Sequence, residues 1–222
     1  MSKWVVKINA SIVVKFAPNI NVKPLGAFSI GTCNYLFMSY IEGDSLASHW
    51  NHLSLSLKSS IQSQLEDILQ CLRKLPLPSK YLGSGEPPLC KDLRRHTRTS
   101  KRSISNEQEF RDFIMSSQRE QNPVYHDLLT SVLSTNHAIV MTYGDLRAEN
   151  IIVSQAGSDA IEITGLVDWE LSGAYPEYWE YVKALAGVTW SLSDWYSYLP
   201  VATIGKHDLA WVQECLIDRL VL

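Results

Sequence analysis

The first 41 residues of this 222-residue chain contain no aspartate and no glutamate; the first acidic side chain is Glu42. Lysines in that segment therefore have no carboxylate partner nearby in sequence. CxxC pairs are missing as well, since Cys33, Cys71, Cys90 and Cys215 lie far apart. That spacing excludes a ribbon-type zinc site and reads as free thiols in a reducing compartment. No apolar run approaches the roughly 20 residues that a membrane span requires. Lys3, Lys7 and Lys15 break the apolar stretches of the N-terminus, which argues against a secretory leader. A cytoplasmic location without a membrane partner is expected. Charge of either sign is scarce: the net charge is −3 and the pI near 6.1, which argues against nucleic acid as a partner. No GxGxxG, internal repeat or low-complexity tract occurs. What remains is 45% hydrophobic and 19% charged, the composition of an ordinary folded chain.

Residues 4–16 read as two β-rich runs, WVVKI and SIVVKF, joined at Asn9–Ala10 in a hairpin. APNINVKPLGAFSIGTCN is rich in turn formers, and YLFMSYI is a short apolar run suited to a buried strand. From about residue 44 the pattern turns helical. Leu57, Ile61, Leu65, Ile68, Leu69, Leu72 and Leu75 share one face, and Pro76 and Pro78 stop the helix. Ser79–Asn106 has loop character and carries a basic cluster; helices are predicted over Glu107–Ser117 and Tyr125–Leu133. AIVMTY, NIIV and AIEITGLVDW read as strands, and after Pro176 the chain is helical and aromatic. Strands first, helices afterwards, and a small hairpin among the helices predict an α+β chain with two lobes.

The chemistry concentrates in MTYGDLRAENIIV, residues 141–153. Phosphoryl transfer needs a positioned nucleophile and cations on the phosphates more than it needs covalent help. A carboxylate orients the attacking hydroxyl and accepts its proton. A second carboxylate and an amide oxygen suit Mg2+, a hard ion, and a strand lysine holds phosphate. The chain supplies these pieces in that order: Lys15 at the end of SIVVK, then Asp145 and Asn150 in GDLRAEN, then Asp168 in GLVDWE, 18 positions on. DxxxxN alone is weak evidence; the ordered set is stronger.

These residues resemble the aminoglycoside phosphotransferase family, in particular the fungal branch of that protein-kinase-like superfamily. VVKF, SYIEGDSLASHW, YGDLRAENIIV and GLVDWELSGAYPEYWEYVKA anchor the resemblance from about Trp4 to Trp195. It implies a protein-kinase-like two-lobed fold, with a reduced β N-lobe and linking strand over residues 1–42 and a mainly helical C-lobe over 43–222. It implies ATP- and Mg2+-dependent transfer of the γ-phosphate to a hydroxyl of a small molecule. Asp145 would then be the catalytic Asp, Asn150 and Asp168 the Mg2+ ligands, and Lys15 the phosphate contact. The backbone around Ser39, Tyr40 and Ile41 would meet the adenine. Pro176 lies only eight positions after Asp168, too short an interval for a protein-kinase activation segment, so a small acceptor is expected rather than a protein.

Two departures from the family pattern stand out. Tyr143 takes the place of the usual His before Gly-Asp. No helix with an acidic residue fits between Lys15 and YLFMSYI, so the expected Glu partner of the kinase lysine is missing. The alternative is therefore a catalytically weak or inactive pseudokinase-like binding protein of the same fold. Other motifs read as decoys. GDSL at 43–46 lacks the Asp-x-x-His a serine hydrolase would need, and His49 and His52 lack further ligands. Lys91, Arg94, Arg95, Arg98, Lys101 and Arg102 read as a solvated basic loop. Glu170 reads either as support for the metal site or as a structural charge. The Trp- and Tyr-rich tail is expected to pack the helical lobe or to line a substrate pocket.

Overall fold

In a computed structural model of the chain, the described residues are 4–7, 12–17, 25–31, 33–93, 97–116, 136–155, 160–186 and 194–220, with isolated positions at 124, 127 and 131. The expected Asn9–Ala10 turn, most of the Tyr125–Leu133 helix, Arg94, Arg95 and the side chain of Lys15 lie outside them.

The N-terminal sheet holds β1 (Trp4–Lys7), β2 (Ile12–Ala17), β3 (Gly26–Ile30) and β4 (Cys33–Ser39) in the order β1-β2-β4-β3. All its pairings are antiparallel, with Lys15 opposite Val5 on one side and Leu36 on the other. β3 corrects the reading of that stretch as turn-forming residues alone. Gly31, at φ +60, supplies the positive φ of a tight hairpin turn. Phe28 then stacks on Tyr35 at 4.8 Å. Cross-strand pairing of this kind outweighs the weak β propensity of Gly-Ala-Phe-Ser-Ile.

The chain leaves β4 through residues 40–43 and enters β5 (Asp44–Ser45), which joins β9 (Ile151–Gln155) and β10 (Ile161–Leu166) in a three-stranded sheet, order β10-β9-β5. Next come α1 (Leu46–His49), a 3-10 turn (Trp50–His52) and α2 (Leu55–Arg73). Ser54 caps α2, its Oγ accepting from the Leu57 N–H at 3.3 Å. Leu57, Ile61, Leu65, Leu69 and Leu72 are buried as the periodicity predicts. Leu75 is not: it is 53% exposed, because the helix ends at Arg73 and the 100° step no longer applies beyond it. Arg73 itself donates to the carbonyls of Thr203, Glu177 and Ile204, fastening the end of α2 to the C-terminal region.

Ser79–Asn106 is not a plain loop. β6 (Lys91–Leu93) and β7 (Thr97–Thr99) form a hairpin, and a bridge pairs Leu82 with Ile104. Buried charge holds the hairpin. Asp92, with no solvent exposure, takes Arg98 and Lys183 at 2.6 Å each. Arg98 also donates to the carbonyls of Ile114 and Ser116, and Lys91 Nζ to that of Glu170. Arg98 and Lys91 are therefore tied into the fold, against the reading of a solvated cluster; Lys101 and Arg102 are exposed. A run of basic letters does not show which of them meet a buried acceptor.

α3 (Glu107–Met115) follows, then β8 (Ile139–Thr142), β9, β10 and β11 (Gly173–Pro176), which pairs with β8. α4 (Trp179–Leu185), α5 (Val201–Ile204) and α6 (Asp208–Leu220) complete the helical part. One core cluster joins α2 to the β9–β10 hairpin through Ile61, Leu65, Leu69, Leu146 and Ile151. A second joins α3, α4 and α6 through Phe110, Ile114, Trp179, Val182 and Ile217. Each fully buried large apolar side chain contributes about 1.5–3 kcal/mol. Tyr178, Trp179, Tyr181 and Trp195 are all buried, so the aromatic tail packs this part of the molecule. The architecture is α+β, a kinase-like arrangement of a small β lobe and a larger, mainly helical one.

Candidate active site

β8 delivers Tyr143, Gly144 and Asp145 into a short loop. Gly144 has φ +82, and a Cβ there would lie 2.7 Å from the Leu171 carbonyl oxygen, so only glycine fits before the aspartate. From α4, Glu180 accepts from the Tyr143 N–H at 2.6 Å and from the Gly144 N–H at 3.2 Å. Glu180 is 2% exposed. Burial pushes its carboxyl up to about 7, against the pull of the two backbone N–H groups and of Arg73. The loop closes in tight turns, Arg147 N–H to Asp145 carbonyl at 2.9 Å and Asn150 N–H to Arg147 carbonyl at 3.0 Å.

Asp145 is 8% exposed. Asn150 Nδ2 donates to its Oδ2 at 2.7 Å and to its carbonyl at 3.1 Å, and Arg147 Nε lies 3.0 Å from Oδ1. Burial raises the Asp145 carboxyl above its ordinary value; Arg147 and Asn150 oppose that, while Asp168 and Glu170 add to it. Two carboxylates close enough to repel in this way form a natural place for a cation.

Asp168 follows β10 at φ 62 and ψ 55, the only non-glycine residue with positive φ among the described residues. Such a conformation costs about 1–3 kcal/mol and persists only where neighbours enforce it. Here the Val167 N–H donates to the Asn150 carbonyl at 3.0 Å, and the Tyr143 hydroxyl donates to the Val167 carbonyl. The Tyr143 ring also meets Trp169 edge-on, with centroids 4.9 Å apart. Tyr143, fully buried, thus ties the Asp145 loop to the Asp168 loop. Burial pushes its phenol up, which keeps it a neutral donor.

The segment from Ile41 to Gly43 packs onto the hairpin flanked by Asn150 and Asp168. Thr164 Oγ1 donates to the Glu42 carbonyl at 2.8 Å. A Cβ on Gly165 would reach Ile41 Cδ1 at 2.7 Å, and one on Gly43 would reach the Val153 carbonyl oxygen at 2.3 Å. Ile41 therefore sits beside β9–β10, while Ser39 ends β4 opposite Ile12 and Tyr40 follows it. Lys15 lies on β2, two strands from the free edge of β3.

Asn150 and Asp168 offer oxygen donors. With Asn150 Nδ2 given to Asp145, the amide oxygen is the atom left for a cation. Among the described residues no group of three or more His, Cys, Asp or Glu forms a metal cage. The donor set fits a hard ion that keeps waters and binds together with phosphate oxygens, as Mg2+ does. Zinc-type ligation does not fit it.

A cavity of about 400 Å³ opens beside Asp145, with Arg147, Leu171, Lys183, Trp211 and Glu214 in its walls. Sequence reasoning placed none of the α6 residues in a site and named Cys215 only as a free thiol. A signal was present: Trp211, Glu214, Cys215 and Asp218 stand at i, i+3, i+4 and i+7 on one helix face and all line the cavity. The decoys resolve differently. The Ser45 hydroxyl donates to the Ala148 and Glu149 carbonyls, bracing the catalytic-type loop rather than serving as a nucleophile. His49 Nε2 lies 3.4 Å from Asp44.

The sequence profile of the phosphotransferase enzyme family matches residues 18–214. No curated protein matches. Among solved structures, the GDP complex of aminoglycoside 2′-phosphotransferase IIIa is 13% identical, with a TM-score of 0.56 over 97% of this chain and 78% of that one. The GDP and kanamycin complex of APH(2″)-IIIa gives 13% identity and a TM-score of 0.59 over the same shares. An aminoglycoside phosphotransferase from Streptomyces rimosus gives 16% and 0.56 over 99% of this chain and 92% of that one. At such identities the likeness speaks for the fold, while the family match covers most of the chain. The Gly144-Asp145 loop, the αL Asp168 and the profile match together place this chain in the phosphotransferase enzyme family.

Proposed function

We propose that the chain transfers the γ-phosphate of ATP to a hydroxyl of a small molecule seated in the cavity beside Asp145. The observation that carries this reading is the position of Asp145: its carboxylate is oriented by Asn150 and Arg147 and forms part of the cavity wall. In the proposed reaction the acceptor hydroxyl replaces Arg147 at Asp145, which orients it and takes its proton as the oxygen attacks phosphorus. Asn150 and Asp168 would hold Mg2+, which when bound neutralises charge on the phosphates. The backbone of Ser39, Tyr40 and Ile41 would meet the adenine, and Lys15 the phosphates. The GDP complexes of the structural neighbours support a nucleotide as a ligand of this fold. We assign residues 1–42 to a reduced nucleotide-binding lobe of fungal-branch type and 43–222 to the catalytic lobe, in a cytoplasmic protein.

A second reading, a binding protein of this fold with weak or no turnover, is favoured by one specific observation. No acidic residue precedes Glu42, so Lys15 lacks the local Glu that fixes a kinase lysine, and mispositioning of that order costs about 10²-fold. ATP consumption over a panel of hydroxylated compounds separates the two, with Asp145→Asn as control. Turnover that disappears in the variant supports the transferase. Equal rates in both proteins on every acceptor would sink it.

A further inference from the structure

Glu214 and Asp218 of α6 share the cavity wall with Asp145, and two cations share it too, Arg147 and Lys183. Lys183 is 8% exposed. Its Nζ lies 2.6 Å from Asp92 Oδ1 and 3.2 Å from Glu214 Oε1. It sits 4.4 Å over the Trp179 ring and donates to the Leu93 carbonyl at 3.3 Å. Arg147 in turn lies against Asp145. Asp145 and Glu214 thus each face a cation of the protein.

An acidic wall attracts an amine-bearing ligand only where the field of the carboxylate is not cancelled locally. At Glu214 it is opposed by Lys183, whose ammonium, shared with Asp92, stands 3.2 Å from Oε1, in the place that an amino group of an acceptor would take. The other walls, Leu93, Leu171, Val182 and Trp211, offer apolar surface suited to the C–H face of a ring. We propose that the acceptor is a neutral polyhydroxylated compound, a sugar or cyclitol in class, and that Lys183 sets this preference by excluding amines. The proposal rests on the reading of this cavity as the acceptor site. Lys183 acts on specificity, not on the chemical step.

The test uses the full chain and matched probes: glucose against glucosamine, and myo-inositol against kanamycin. Affinities are measured by calorimetry or ligand-observed NMR without nucleotide, and turnover separately with ATP and Mg2+. The wild type should favour the neutral member of each pair. Lys183→Met should raise the amine-to-neutral affinity ratio about tenfold, the size of one charge-assisted hydrogen bond. Adding Glu214→Gln to that variant should return the ratio toward wild type. Lys183→Met leaves Glu214 without its cation and Asp92 with Arg98 alone, so Lys183→Gln, whose amide keeps a donor toward Asp92, is measured in parallel as the variant better placed to fold. A wild-type preference for the amines, or an unchanged ratio in the folded Lys183 variants, overturns the proposal. So does a lack of binding by every probe to every protein. The expected binding pattern without turnover upholds it and instead sinks the phosphotransfer reading.

Discussion

Two acidic side chains that meet at one loop, Asp145 within it and Glu180 reaching it from α4, are tuned in different ways. Asp145 is raised by burial and by neighbouring carboxylates but retains Arg147 and Asn150 as partners. In the proposed reaction it acts as the carboxylate, so the acidic limb of a pH–rate profile should lie above the ordinary aspartate value, with activity falling as pH drops through it. Asp145→Asn should lower kcat by about 10²–10⁴-fold and remove that limb, measured on any accepted acceptor. Glu180 is the structural counterpart, holding the loop by two backbone N–H groups. Its folded pKa of about 7 exceeds the ordinary glutamate value of 4.5. Between those values the folded chain keeps a proton that the unfolded chain has released. The contribution of Glu180 is therefore full below about 4.5 and is lost as pH rises through about 7. Urea midpoints of Glu180→Gln should lack that decline relative to wild type, since the amide oxygen still accepts from the loop.

Among the elements, the informative unit is the pair of loops after β8 and β10. Each is irregular backbone that would be costly alone, and each is completed by the other: Val167 N–H to Asn150 carbonyl, Tyr143 hydroxyl to Val167 carbonyl. That gives a physical account of the tyrosine that stands where the family pattern has histidine. Tyr143→Phe would leave the half-buried Val167 carbonyl without this donor, at a cost of about 1 kcal/mol. The expected outcome is a lower urea midpoint and a several-fold weaker Mg2+ dependence of nucleotide binding, because Asp168 loses a constraint on its αL backbone. An unchanged Mg2+ titration with lowered stability would make the tie purely structural. The β6–β7 hairpin teaches a related lesson. Its register follows from Asp92 meeting Arg98 and Lys183, one of them 91 positions away in sequence.

The whole molecule joins a four-stranded sheet, through a linking segment, to the helical body that carries these loops. A nucleotide bound only by the folded chain stabilises it by about 2.7 kcal/mol at a hundredfold excess over Kd. ATP with Mg2+ should therefore raise Tm by several degrees, and chelation of the metal should withdraw most of the gain. No shift at millimolar nucleotide would count against both the transferase and the nucleotide-binding version of the alternative. A shift without ATP consumption would favour the alternative.

Local patterns carried much of this in the linear order of residues. The α2 face from Leu57 to Leu72, the strands around residues 139–166 and the order Lys15, Asp145, Asn150, Asp168 are readable because periodicity and motif spacing are short-range properties. The tertiary structure decided what depends on distant partners. It made β3 a strand by pairing it with β4, turned part of a basic run into a buried ion network, and let Leu75 face solvent once the helix had stopped. It brought Lys183, Trp211 and Glu214 to the same cavity as Asp145, because helix packing, not chain order, determines which side chains share a wall.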